Sequence, residues 1–198
     1  MKKLIAIAIV AGLSVPAMAE TRVYGQLHAS VDGFDSEDIS LSSNTSRIGV
    51  KGSSQLNNGL KAIYKAEWEI NTGSGGRDPD GSSLSATKSV FSNRNQVVGL
   101  AGRRGAVLVG RHDTPMKIIG RKADLFWSSQ LGQNRSGDML GEWDARPDNV
   151  IAYQSPKVGG FQVLAARITQ DSADNRGDND GWSLNGVYKA GPLMLGAA

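Results

Sequence analysis

The only two histidines, His28 and His112, stand far apart, and the 198 residues contain no cysteine. Two isolated imidazoles without thiols or a paired carboxylate pattern make no metal-ligand set, so both are read as structural. Thiol catalysis and disulfide scaffolds are excluded outright. Hydrolysis would need a Ser or Asp placed with a His, and neither imidazole lies in such a motif, so no enzyme and no cofactor are expected. What remains is fixed charge. The connection from Thr114 to Arg146 exceeds the usual length of a structureless loop, which signals function or disorder. It carries Lys117, Arg121 and Lys122 besides its carboxylates. Lys61, Lys65, Glu67 and Glu69 read as a solvated, mutually screening set rather than a selecting one.

Those charges need a scaffold, and the chain's start says where it is built. Lys2 and Lys3, the apolar stretch Leu4 to Val15 and the small-residue end Ala17-Met18-Ala19 have the layout of an export signal over 1–19. The stretch is too short for a membrane-spanning helix. Removing Lys2 and Lys3 from the 22 basic residues leaves 20 against 19 acidic ones, so no basic surplus points to nucleic acid. An apolar share of 39% with 25 glycines argues against a large dry core and admits a barrel whose inside is wet.

Period-two alternation carries the fold assignment. In Thr21 to Phe34, Val23, Gly25, Leu27, Ala29 and Val31 oppose Arg22, Tyr24, Gln26, His28, Ser30 and Asp32, with Tyr24 out of character. Ala62, Tyr64, Ala66, Trp68 and Ile70 oppose Lys61, Ile63, Lys65, Glu67 and Glu69, with Ile63 the exception; Trp182, Leu184, Gly186 and Tyr188 oppose Ser183, Asn185, Val187 and Lys189, with Val187 out of pattern. Weaker segments at 46–55, 94–102, 105–111, 149–155 and 160–169 bring the number to eight strands, with a ninth starting at Leu193. Short turns at 56–59, 102–105, 155–160 and 190–192 alternate with long polar connections at 35–45, 71–93, 114–146 and 170–180. That asymmetry is expected of an all-β, antiparallel transmembrane β-barrel. A secreted β-sandwich binding module would explain the alternation but not the loops, and would need bulkier residues on its buried face.

Several segments carry a resemblance in their order and spacing. They are Val23-Tyr24-Gly25, Ser46-Arg47-Ile48-Gly49-Val50-Lys51-Gly52, Asn57 to Ala62, Asn93-Arg94-Asn95, Gly110-Arg111, Asp113-Thr114-Pro115, Arg146, Asp148-Asn149, Tyr153 to Pro156 and Gly159-Gly160-Phe161. Together they resemble the Gram-negative general diffusion porins of the trimeric proteobacterial type. The resemblance implies an outer-membrane channel for passive diffusion of small hydrophilic solutes and ions. It also implies contact with outer-membrane lipid and a homotrimer, in which the connection 71–93 reaches a neighbour. Family barrels have sixteen strands, so 20–198 is expected to be the N-terminal half of one, ending inside a strand at Ala197-Ala198. A substrate-specific sugar or anion channel is the alternative, although Phe126, Trp127 and Trp143 are too few to form an aromatic lane.

The resemblance further implies that 114–146 folds inward as a constriction loop. Arg47, Arg94 and Arg146 fall on the family's basic cluster on the wall, while Gln26 stands where relatives often carry a fourth cation. Asp124 is the first acidic candidate on the loop, followed by Asp138 and Glu142. Arg111 is placed to brace the loop. The enteric Pro-Glu-Phe-Gly-Gly signature is absent, and if Lys117, Arg121 and Lys122 point inward the narrow zone is net positive and prefers anions.

Overall fold

The computed structural model describes residues 20–33, 39–70, 91–127, 145–169 and 180–198. The signal segment, Asp138 and Glu142, Trp143, and most of the connections 71–93 and 170–180 lie outside the described residues. Strands are β1 (Glu20–Gln26), β2 (Ala29–Asp32), β3 (Ser40–Ser43), β4 (Arg47–Gln55), β5 (Lys61–Ile70), β6 (Phe91–Gly102), β7 (Gly105–Arg111), β8 (Val150–Gln154), β9 (Phe161–Ile168), β10 (Gly181–Ala190) and β11 (Leu193–Ala197). Nine of them form one antiparallel sheet in the order β1-β4-β5-β6-β7-β8-β9-β10-β11, and β2 pairs with β3 apart from it. No helix among the described residues is long and apolar enough to cross a membrane.

The register sorts the residues onto two faces. One row runs Ala62, Leu100, Val107, Tyr153, Ala165 and Leu184 across six strands. A second joins Tyr64, Val98, Val109 and Ile151. This face is apolar and uncovered: Val98 is 61% exposed and Trp182 72%. The alternation read from the sequence in β1, β5 and β10 therefore holds in the register, with Trp68 beside Ile48 and Tyr188 beside Phe161 and Leu195.

The opposite face has two halves. Across β1, β4 and β5 it is polar, carrying Arg22, Gln26, Arg47, Lys51, Lys65, Glu67 and Glu69. Across β8 and β9 it is apolar, and Val150, Ala152, Leu164 and Ala166 form a small core there with Leu108, Ile118 and Ile168 against it. Ile118 belongs to helix α1 (Pro115–Ala123), which packs on β9 and β10. The helix occupies the start of the connection read at 114–146. Thr114 caps it, accepting the Lys117 amide at 3.1 Å, and Pro115 opens its first turn.

Two further departures have local causes. The segment read as one strand over 21–34 breaks after Gln26, where Ser46 takes over the backbone of His28: the His28 amide donates to Ser46 Oγ at 2.9 Å, and that hydroxyl donates to the His28 carbonyl at 3.0 Å. Beyond the break β2 pairs with β3, a strand inside the connection read at 35–45. Tyr24, an exception to the alternation like Ile63 and Val187, lies on the polar face, where its partner across the sheet is Gly49. The missing side chain leaves room for the ring, since a Cβ at Gly49 would meet it at 2.6 Å. The short turn after β4 depends on left-handed backbone at Asn58 (φ 61) and Gly59 (φ 72), the residue types that tolerate it.

Gly49→Val should cost about 1–3 kcal/mol by overpacking. In a Tyr24→Ala background the cost should shrink, which urea unfolding of the two single variants and the double variant measures.

Candidate functional site

The polar half of the inner face and the helix-bearing connection meet at one charged cluster. Its wall side begins at an irregularity between β5 and β6, where Ala66 pairs with Gln96 but Trp68 pairs with Asn93. Two β6 residues, Arg94 and Asn95, thus stand against the single Glu67, as in a β-bulge. Both are buried and both find partners on the inner side. Arg94 donates Nε to Glu67 Oε1 at 2.9 Å and Nη1 to Glu69. Glu67 also receives the Tyr24 hydroxyl at 2.8 Å and stands 3.1 Å from Lys65 Nζ. Glu67 and Glu69 are therefore not the mutually screening solvated set read from the sequence. They hold Arg94 by a charged, directional pair of contacts.

Asn95 turns the wall toward the connection. Its amide donates to Asp113 Oδ2 at 2.9 Å and its carbonyl oxygen accepts the Asp113 backbone amide at 2.9 Å. Asp113, just before the helix, gathers the other cations. Arg121 Nη1 donates to Oδ2 at 2.8 Å. Arg146 Nε lies 2.8 Å from Oδ1, at an angle that makes it a charge contact rather than a hydrogen bond. Burial alone would push the Asp113 carboxyl up, but Arg146, Arg121, the Asn95 amide and Lys117 together hold it down to about 2. Burial draws Arg146 down to about 10 against the pull of Asp113, with Arg94 and Arg121 as unfavourable neighbours.

Backbone and side-chain contacts fix the connection around this hub. The Thr114 amide donates to Ala145 O at 3.1 Å and the His112 amide to Pro147 O at 3.3 Å, joining its outgoing and returning limbs. Asn185 Nδ2 on β10 donates to Pro115 O at 2.7 Å, and the Met116 amide donates to Ser183 Oγ at 3.3 Å. At the far end of the segment, Trp127 has two guanidinium groups near its ring: Arg47 of β4 at 5.7 Å and Arg121 of α1 at 5.2 Å. Arg47 makes no ion pair among the described residues and only a long contact to Thr45 O at 3.4 Å. It is the least neutralised arginine of the cluster.

Of the residues named from the sequence, Arg94, Arg146 and Arg121 meet through Asp113, Asn95 and Glu67, and Arg47 joins them through Trp127. Arg111 pairs with Asp148 at 2.9 Å, linking the end of β7 to the returning limb rather than gripping the helix. Asp124 is the helix C-cap and accepts the Phe126 amide at 2.8 Å; among the described residues it pairs with none of the arginines. Lys117 adds its charge near Asp113, whereas Lys122 lies by Lys189 and Lys157, its value lowered first by burial and then by these two cations. Asp113 and Asn95 went unassigned in the sequence, although Asn93-Arg94-Asn95 and Asp113-Thr114-Pro115 both stood out as segments. No metal-binding group occurs among the described residues.

The family model described as "Gram-negative porin" matches residues 6–198. The major outer membrane protein P.IB of Neisseria meningitidis serogroup B is 30% identical over 211 residues, covering 98% of this chain and 57% of that protein. The solved structure of an anion-selective porin from Comamonas acidovorans superposes with a TM-score of 0.62 at 24% identity, over 90% of this chain and 56% of that one. Salmonella typhi OmpF, solved with daunomycin, gives 0.65 at 18% identity over 89% and 52%. At these identities the two structures speak for the fold. The chain spans about half the length of the curated relatives it matches.

Two outcomes follow for the hub. Asp113→Asn should destabilise the folded protein by about 3 kcal/mol, because it leaves buried guanidinium groups unpaired; thermal melting checks the size. Because the Asp113 carboxyl is held below its ordinary 3.8, its contribution is complete above about pH 4 and is lost as pH falls through about 2. Amide exchange of α1 should show that loss, and the Asn variant should not.

Proposed function

This chain belongs to the Gram-negative porin family, and we propose that the protein is an outer-membrane channel for passive diffusion of small hydrophilic solutes and ions. One observation carries the reading: the two faces of a single sheet are inverted relative to a soluble domain. Large apolar side chains are spread over the uncovered face, while charge and a packed helix lie on the other. Hydrocarbon accommodates the first face and water the second. A β-sandwich would bring its large apolar residues to a buried interior.

The segment from Thr114 onward supplies the narrowing. It is docked on the inner face at its start and carries Arg121 and Trp127 toward Arg47 on the wall. A pore of this kind needs no nucleophile; it needs a wet passage and fixed charges at its narrowest place. Among the described residues of the cluster, Arg47, Arg94, Arg121 and Arg146 stand against Glu67, Glu69 and Asp113, four positive groups against three negative ones. Arg94 is spent on its two glutamates and Arg146 on Asp113. Arg47 is the group left to act on passing ions, so the proposal includes anion preference. Asp138 and Glu142 would reduce that preference if they faced the passage. Arginine suits the position because it keeps its charge beside other cations. Homotrimeric assembly and export through cleavage of 1–19 belong to the same proposal; the first rests on the family resemblance and the second on the layout of Lys2, Lys3, the apolar stretch and Ala17-Met18-Ala19.

In planar bilayers the protein should give stepwise conductance. In a tenfold potassium chloride gradient the reversal potential should take the anion-selective sign, and Arg47→Gln should move it toward zero. No conductance would remove the channel reading, and a cation-selective sign would remove the charge argument alone.

A further inference from the structure

Four residues beyond Arg47 along β4, toward the short turns, a second group of cations stands on the same face. Arg22, Lys51 and Lys65 are direct cross-strand partners in three adjacent strands. At the sheet's interstrand spacing of about 4.8 Å, like charges set directly opposite one another are destabilising. The nearby carboxylates only partly offset them. Glu67, 3.1 Å from Lys65, is also engaged by Arg94 and by the Tyr24 hydroxyl. Glu20 reaches Arg22 at 3.6 Å, with both side chains largely in solvent. Lys51 has no carboxylate at ion-pair distance among the described residues.

Instead, Lys51 and Lys65 share one aromatic ring: their ammonium groups lie 5.1 Å and 5.9 Å from the Tyr24 centroid. The ring face attracts both and keeps them on the same side. The three cations line an open concavity of about 380 Å³ together with Ser53, Gly52, Tyr64 and one carboxylate, Glu20. The row lies about 13 Å along the strand from Arg47, by a rise of roughly 3.3 Å per residue. It touches the charged cluster through Glu67, which Lys65 approaches at 3.1 Å, and has no contact with Asp113 among the described residues.

We propose that the row Arg22–Lys51–Lys65 is a binding site for multiply charged phosphate-bearing solutes, next on their path after the narrow zone. This rests on the channel reading above. A monovalent anion engages one cation at a time. A diphosphate spreads its charge over several oxygens and reaches neighbouring strands together. Arg22 presents a planar fork suited to paired phosphate oxygens, the two lysines act as mobile point charges, and Ser53 supplies a hydroxyl donor. Occupancy removes the repulsion that the empty row carries. It should weaken as salt rises, because the site is open to water.

The test uses the protein in planar bilayers carrying chloride current, with inorganic pyrophosphate as the probe. Pyrophosphate should reduce the current saturably, while acetate at equal concentration should not. Lys51→Gln and Lys65→Gln should each raise the half-blocking concentration about tenfold, Lys51→Arg should restore it, and Arg103→Gln, in a short turn, should leave it unchanged. Block that is absent, or undiminished in both glutamine variants, overturns the proposal. If no chloride current is found at all, the channel reading fails, and the site is judged separately by 31P line broadening of pyrophosphate with the detergent-solubilised protein. Broadening that Lys51→Gln removes supports the site; none refutes it.

Discussion

A backbone surrounded by hydrocarbon has no water to satisfy its N–H and C=O groups, so the wall has to supply every partner from within itself. The nine-strand ladder meets that demand for the seven strands from β4 to β10, each of which is paired on both sides, and the rest of the architecture follows from it. Once neighbouring strands are locked in register, the alternation of side chains is no longer a property of single strands. It becomes a property of rows crossing the whole sheet. Ala62, Leu100, Val107, Tyr153, Ala165 and Leu184 come from six strands and still fall on one face. A slip of one residue anywhere would exchange grease for charge along an entire strand.

The site is made where that rule is locally broken. Strict alternation would send Arg94 and Asn95 to opposite faces. The irregularity opposite Glu67 lets both serve the inner side, Arg94 toward the glutamates of β5 and Asn95 toward Asp113. One extra residue in a strand therefore joins the wall's electrostatics to the position of the inserted helix. Gly49 is the complementary device: by omitting a side chain it lets Tyr24 lie inward, where its hydroxyl steadies Glu67. Both features bring polar atoms of β1, β5 and β6 within a few ångströms of each other on the polar face.

The sheet was legible in the sequence because its signal is repeated: β1, β5 and β10 each show the same period, and turn chemistry marks the short ends. The family motifs similarly brought Arg47, Arg94 and Arg146 into one neighbourhood. What could not be read was contact between strands. The role of Glu67 depends on which β6 residues oppose it, and a bulge leaves no mark in the alternation of β5. Nothing in the sequence sets Asp113 apart from the other acidic residues, and the family resemblance points to Asp124. Only the folded arrangement shows that one is surrounded by Arg121, Arg146 and Asn95 while the other ends a helix. The helix itself was hidden in a segment whose length suggested a loop, although Thr114-Pro115 is an ordinary helix start. The break after Gln26 was invisible for the same reason as the bulge, since Ser46, the residue that intercepts the His28 backbone, lies on another strand.

The helix at 115–123 comes earlier in the chain than most of the surface that receives it, which is supplied by Val150, Ala152, Leu164, Ser183 and Asn185. While the protein is being delivered and threaded into place, that segment has no seat until two further hairpins have formed. Seating the helix therefore joins, in a single packing step, residues as far as seventy positions apart in the chain.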